Sequence, residues 1–121
     1  MKTIYTDAAP APIGPYSQAK QVGDLLFISG QIGLDPATGQ LVAGGIEAQT
    51  RQVLANIEAI LKAAGKTFDD VVKTTCLLRQ IDDFAAFNAI YATAMVSNPA
   101  RATFAAVLPA DARVEVEVIA Q

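Results

Sequence analysis

The segment RVEVEVIA, from Arg113 to Ala120, alternates valine with charge. Successive side chains of an extended strand point to opposite faces, so Val114, Val116 and Val118 share one face while Arg113, Glu115, Glu117 and Ile119 share the other. Such a strand fits a sheet buried on one side only. The valines suit a core covered by helices, and Glu115 and Glu117 then sit on the open face.

The remainder of the chain supplies partners for that strand. Short runs from Thr3 to Tyr5 and from Gln18 to Val22 read as strands separated by a loop carrying Pro10, Pro12 and Pro15. Leu25 to Ser29 is a stronger strand, bounded by Gly23-Asp24 and Gly30, with Ile32 and Leu34 resuming the alternation. Asp35-Pro36-Ala37-Thr38-Gly39 reads as a turn and suggests a hairpin. From Ile46 to Ala64, apolar residues at Ile46, Val53, Ile57, Ile60, Leu61 and Ala64 recur at helical spacing, interrupted at Gln49 and Thr50, and Gly65 closes the helix. Thr67 and Asp70 have capping-box spacing.

Val71 to Leu78 is β-branched and apolar, a strand with Val72, Thr74, Cys76 and Leu78 on one face and Val71, Lys73, Thr75 and Leu77 on the other. A second helix starts near Asp82 or Asp83, places Phe84, Phe87, Tyr91 and Met95 on one stripe, and ends before Pro99. Arg101 to Leu108 reads as one more strand, joined to the last by Pro109-Ala110-Asp111. The order strands, helix, strand, helix, strands implies an α+β fold: a mixed sheet with two helices packed on one face.

At 121 residues the chain is expected to form a single domain over residues 1–121. The absence of histidine removes Ser/His/Asp and Cys/His triads and histidine-based zinc sites, leaving carboxylate, Arg, Lys, Tyr, hydroxyl or backbone to do any chemistry. The lone Cys76 cannot close an intrachain disulfide and reads as a core strand residue, consistent with a reducing, cytoplasmic setting. No membrane or secretory segment is expected, because the N-terminus lacks an apolar run longer than LLFI at Leu25 to Ile28. Nine Lys and Arg, scattered against twelve Asp and Glu, form no basic stripe, so nucleic acid is not an expected partner. Charged residues make up 17% of the chain, below the usual ~25%, which points to surface covered in a homo-oligomer.

Among candidate chemical groups, Arg101 opens a strand directly after Asn98-Pro99-Ala100. Arginine can hold a carboxylate through two parallel hydrogen bonds while staying charged. Glu115 is expected on a neighbouring strand, facing the same side, where it can orient water or shuttle a proton; the pattern alone favours a glutamate paired with Arg113 or a lysine on an exposed sheet face. Tyr16 and Ser17 after Gly14-Pro15, Ser29 and Gly30 at a strand end, and Asn88 beside the second helical stripe are further polar candidates. Gly44-Gly45 lacks both the dinucleotide fingerprint and the phosphate-loop lysine pattern. Asp69-Asp70 and Asp82-Asp83 suit helix starts, and no metal is assigned.

Taken together, GPYSQA at Gly14 to Ala19, FISGQI at Phe27 to Ile32, DPATGQ at Asp35 to Gln40, NIEAILKAAG in the first helix, VVKTTCLL at Val71 to Leu78, DFAAFNAIY at Asp83 to Tyr91, PAR at Pro99 to Arg101 and VEVEVIA resemble the reactive intermediate deaminase (RidA, YjgF) family nearly end to end. The resemblance implies a chorismate-mutase-like α+β fold and a homotrimer with active sites between subunits. It implies cofactor-free hydrolysis of 2-aminoacrylate and 2-iminobutyrate to 2-oxo acids and ammonia, or, in a non-catalytic relative, a trimer that binds small carboxylates or proteins. By the same resemblance Arg101 binds the substrate carboxylate and Glu115 holds or activates water. Tyr16, Ser29, Gly30 and Asn88 match pocket residues, and Thr103 stands where a cysteine is common and serves through its backbone. The run from Arg101 to Leu108-Pro109 is one residue short of the family pattern, and a one-residue slip in a strand reverses which side chains face a pocket.

Overall fold

The computed structural model describes residues 1–121. Strands β1 (Lys2–Ile4), β2 (Ala19–Val22) and β3 (Leu25–Gln31) are followed by helix α1 (Gly45–Ala63), strand β4 (Val71–Leu78), helix α2 (Phe84–Ala94), and strands β5 (Ala100–Ala105) and β6 (Val114–Ala120). They form one six-stranded sheet in the order β1-β2-β3-β6-β4-β5. Only β4 and β5 are parallel; a parallel pair needs a crossover, and α2 provides it. The last strand returns antiparallel into the gap between β3 and β4.

Both helices cover the same face. Val53, Ile57, Ile60 and Leu61 of α1 and Phe87 and Tyr91 of α2 join Leu26, Ile28, Cys76, Leu78, Val114, Val116 and Val118 in one buried cluster. The expected assignment of the β6 valines to the core therefore holds. Replacing Phe87 by alanine empties a large, fully buried site at the centre of this cluster. It is expected to cost about 3–5 kcal/mol, read as a lowered urea midpoint with little change in the denaturant slope.

The polar interruption in α1 has a structural reason. Gln49 is buried and its Oε1 accepts from the Arg113 backbone N–H at 2.8 Å, while the Thr50 hydroxyl donates to Ile46 O at 2.7 Å. Asn56, fully buried, donates to Ile32 O and Leu34 O, tying the helix to the segment after β3. At the C-terminus Gly65, with φ 73°, lets the Lys66 N–H reach Leu61 O and the Gly65 N–H reach Lys62 O, a Schellman closure. The Thr67–Asp70 capping box forms as expected over a short 3-10 turn.

The expected hairpin forms in minimal shape: the Asp35–Gly39 turn closes through Gly39 N–H to Asp35 O, and its arms meet at one antiparallel bridge, Leu34 with Leu41, through Asp35 N–H to Gln40 O and Val42 N–H to Gly33 O. Two expectations change. The face pattern of β4 breaks at its start, where a register shift between Val71 and Lys73 buries Val71 and exposes Val72. The strand read from Arg101 to Leu108 spans only Ala100–Ala105, because its partner β4 ends at Leu78; within that span the pairing is unshifted.

The uncovered face carries exposed apolar side chains beside Glu115 and Glu117. Leu25, Phe27 and Phe104 are 38%, 42% and 49% exposed, and the register sets Phe27 beside Ile119 and Leu77 beside Phe104. No helix is long and apolar enough to cross a membrane.

Candidate active site

The seven residues singled out in the sequence divide into two groups on opposite faces of the sheet. Arg101 pairs with Thr74 and Thr103 with Cys76, and both β4 residues point into the helix-covered side. Glu115 pairs with Leu77 and alternates with the buried Val114 and Val116, so it points to the uncovered side. The expected juxtaposition of Arg101 and Glu115 on adjacent strands is thus corrected: β4 stands between their strands, and the two side chains leave the sheet in opposite directions.

The first group is organised by α2. Residues three and four apart on a helix share a face, which aligns Phe84, Asn88 and Tyr91 over the end of β5. The Arg101 Nη1–H donates to Asn88 Oδ1 at 2.7 Å. Its guanidinium carbon lies 4.8 Å from the Tyr91 ring centroid and 5.4 Å from that of Phe84, within cation–π range. Below, the Tyr91 hydroxyl and Thr74 Oγ1 are 2.7 Å apart, and the Cys76 thiol points to the same Thr74 oxygen at 3.8 Å. Burial raises the Tyr91 phenol and the Cys76 thiol above their ordinary values, so both stay protonated at neutral pH. Thr103 Oγ1 is buried without a hydrogen-bond partner.

The second group is organised by a bulge in β3. Between the pairs Ile28–Val118 and Gln31–Val116 the register shifts, so Ser29 and Gly30 together oppose the single residue Glu117. The bulge brings Gly30 against Glu115: a β-carbon at position 30 would lie 2.5 Å from Glu115 Oε2. Glu115 is half-buried, and desolvation, with the Glu117 charge adding to it, raises its carboxyl above the ordinary 4.5. It borders a cavity of about 220 Å³ whose walls include Ile13, Tyr16, Gly30, Pro109 and Ala110. Ser29 lies outside this cavity, in a shallower depression with Tyr16 and Glu117. The Ser29 hydroxyl donates to Ser17 O at 2.6 Å and its N–H to Gln18 O, fastening the proline-rich loop to the sheet. Gln18 completes the fastening, with its buried amide bonded to Thr6, Ala9 and Pro10.

A family model described as endoribonuclease L-PSP matches residues 6–121. The 2-iminobutanoate/2-iminopropanoate deaminase of Mus musculus is 54% identical over 121 residues, covering 98% of this chain and 90% of that protein. The chain belongs to the Rid family. A Rid family protein from Yersinia pestis is 48% identical and superposes with a TM-score of 0.95, covering 98% of this chain and 97% of the other. RidA from Psychrobacter sp. is 44% identical at a TM-score of 0.95, covering 99% and 98%. The fold is that of the Rid proteins, as expected from the motifs.

Two features of the site are not legible in the sequence. The spacing of Phe84 and Tyr91 places them on the core stripe of α2, and their contact with Arg101 emerges only once β5 is docked beside β4. The Pro109–Ala110 wall of the Glu115 cavity depends on a left-handed Ala110, with φ 55°, a conformation that the residue type alone does not signal.

Proposed function

We propose that this Rid protein hydrolyses reactive enamines and imines of the 2-aminoacrylate and 2-iminobutyrate type to 2-oxo acids and ammonia. The observation that carries the reading is an arginine held ready without a carboxylate partner. The one ion pair in the chain is Arg79 with Asp111, leaving Arg101 supported by ring faces and an amide alone. Such a group suits an external carboxylate. Close relatives bearing the deaminase name support the same reading.

The chemistry asks little of the protein. A protonated imine carbon is already electrophilic; water adds to it, and the carbinolamine formed expels ammonia to leave the ketone. Arg101 fixes the substrate carboxylate, and Glu115 takes a proton from the attacking water and returns it to the departing nitrogen. Tyr16, Gly30, Asn88 and Thr103 shape the pocket, Ser29 acts by holding the loop that carries Tyr16, and no cofactor takes part. Since Arg101 and Glu115 leave opposite faces of one sheet, a site using both is built from two copies. The apolar uncovered face, with Phe27 and Phe104, is where copies meet, in a homotrimer with its sites between subunits. The setting is the cytoplasm.

Ammonia and 2-oxobutyrate release from 2-iminobutyrate generated in the assay tests the proposal; no acceleration by the folded protein rejects it. RNA cleavage, which the family model's description evokes, is disfavoured by the net charge of −3 and by the glutamates of the uncovered face. A second reading, carboxylate binding without turnover, is favoured by the separation of Arg101 from Glu115 within one chain. Calorimetry showing 2-oxobutyrate binding without ammonia release would select it.

Gly30→Ala is expected to swing the Glu115 carboxylate away from the added methyl and to lower kcat roughly ten- to a hundred-fold, with KM changed far less. Steady-state kinetics on a variant of unchanged melting temperature checks this.

A further inference from the structure

We propose that Tyr91 is a positioning residue for the carboxylate-binding arginine, setting which edge of the Arg101 guanidinium is presented to substrate. The inference rests on reading Arg101 as the carboxylate anchor. An arginine side chain at a strand end has many rotamers, and fixing one before the ligand arrives removes that loss of freedom from the binding step. Here three contacts from α2 fix it. Tyr91 and Phe84 lie at 4.8 and 5.4 Å from the guanidinium carbon, and Asn88 accepts from Nη1 at 2.7 Å.

Occupying one Nη1 hydrogen in this way leaves the Nε–Nη2 edge of the planar fork free for a carboxylate held by two hydrogen bonds. Asn88 alone fixes one vertex, and the plane stays free to turn about that bond. The ring contacts set the tilt.

Tyr91 is the more rigid of the two rings. It is 6% exposed, whereas Phe84 is only partly buried. Its ring packs on Phe87 at a centroid distance of 5.4 Å, and its hydroxyl is pinned to Thr74 at 2.7 Å. Thr74 is the β4 residue paired with Arg101 itself. The phenol is therefore anchored to the strand position that also sets the arginine backbone, so ring and guanidinium share one frame. A phenylalanine at position 91 keeps the ring but loses the anchor. A leucine loses the ring as well.

The test measures 2-oxobutyrate affinity by calorimetry, kcat and KM for 2-iminobutyrate, and melting temperature, for wild type, Tyr91→Phe, Tyr91→Leu and Phe84→Leu. Tyr91→Phe is expected to weaken 2-oxobutyrate binding about three-fold and Tyr91→Leu about ten-fold, with KM rising in step and kcat within two-fold of wild type. Phe84→Leu, at a less buried site, is expected to show the same split at about three-fold and serves if Tyr91→Leu does not fold. Tyr91→Leu and Phe84→Leu binding 2-oxobutyrate as wild type does would overturn the positioning role, as would a fall in kcat at unchanged KM. Wild type that binds 2-oxobutyrate without turning over the imine sinks the deaminase reading and leaves the affinity series to decide on Tyr91. Wild type that binds no carboxylate sinks both.

Discussion

Arg101→Ala is expected to lower kcat/KM for 2-iminobutyrate by about 10³-fold, the loss of two charge-assisted hydrogen bonds worth about 1.5–3 kcal/mol each. Most of it should appear in KM, since the carboxylate is held equally in the bound substrate and at the barrier. Arg101→Lys should recover only part of the loss: a point charge cannot make the planar two-bond contact, and it does not stack on Tyr91 and Phe84 as a guanidinium does. The fold should be untouched, because Arg101 is exposed and its one hydrogen bond is to Asn88.

The opposite orientation of Arg101 and Glu115 turns the same variant into a test of where the site lies. Arg101→Ala and Glu115→Gln chains, each inactive alone, should regain activity when unfolded and refolded together. If every site takes its arginine from one copy and its glutamate from another, random assembly of equal amounts leaves about a quarter of the sites intact. Recovery to that level supports a site shared between copies. A mixture as inactive as its components would show that one chain must supply both groups, and the proposed assembly would fall.

The limits of the sequence reading follow the same geometry. Alternation in β6 assigns Val114 and Glu115 to opposite faces without any knowledge of neighbours, since the side-chain period is local. The ends of α1 and the Thr67 capping box are equally local, and they are found where expected. Arg101 is different: in ARATFA the alternation puts Arg101 and Thr103 on one face, but Phe104 on the other and the polar pair toward the helices reverse the usual pattern, so which face they take is set only by the parallel register with β4. That register depends on the crossover through α2, a long-range property. The placement of β6 between β3 and β4 has the same origin, and it is why neighbours expected from chain order are separated in space. Ser29 shows a subtler limit: the motif marks it as a pocket residue, yet its hydroxyl proton is already committed to Ser17 O.

Glu115→Gln is expected to reduce kcat by about 10²–10⁴-fold with little change in KM, because the amide keeps the shape of the side chain but cannot accept the water proton. The acid limb of the wild-type kcat profile should lie above the ordinary carboxylate value of 4.5, since burial and the Glu117 charge both hold the proton on Glu115. A guanidinium from a second copy pulls the other way, but a substrate carboxylate seated on it neutralises that pull, so kcat rather than kcat/KM is the quantity to profile. Stability has the opposite dependence. A carboxyl whose folded pKa is raised favours the fold below its unfolded pKa, and that contribution is lost as pH rises through the folded value. In a single chain the ionised, half-buried group therefore weighs against folding at neutral pH. In an Arg101→Ala background, which removes the guanidinium of the second copy, Glu115→Gln should melt higher than its parent at pH 7, and the gap should close as pH falls through the raised folded value towards 4.5. A substitution that costs turnover in wild type and gains stability in that background would mark Glu115 as a residue kept for chemistry at the expense of the fold. A double variant that melts lower at pH 7 than Arg101→Ala would mean that the carboxylate is stabilised by a partner other than that guanidinium, and the role of Glu115 as a desolvated base would have to be abandoned.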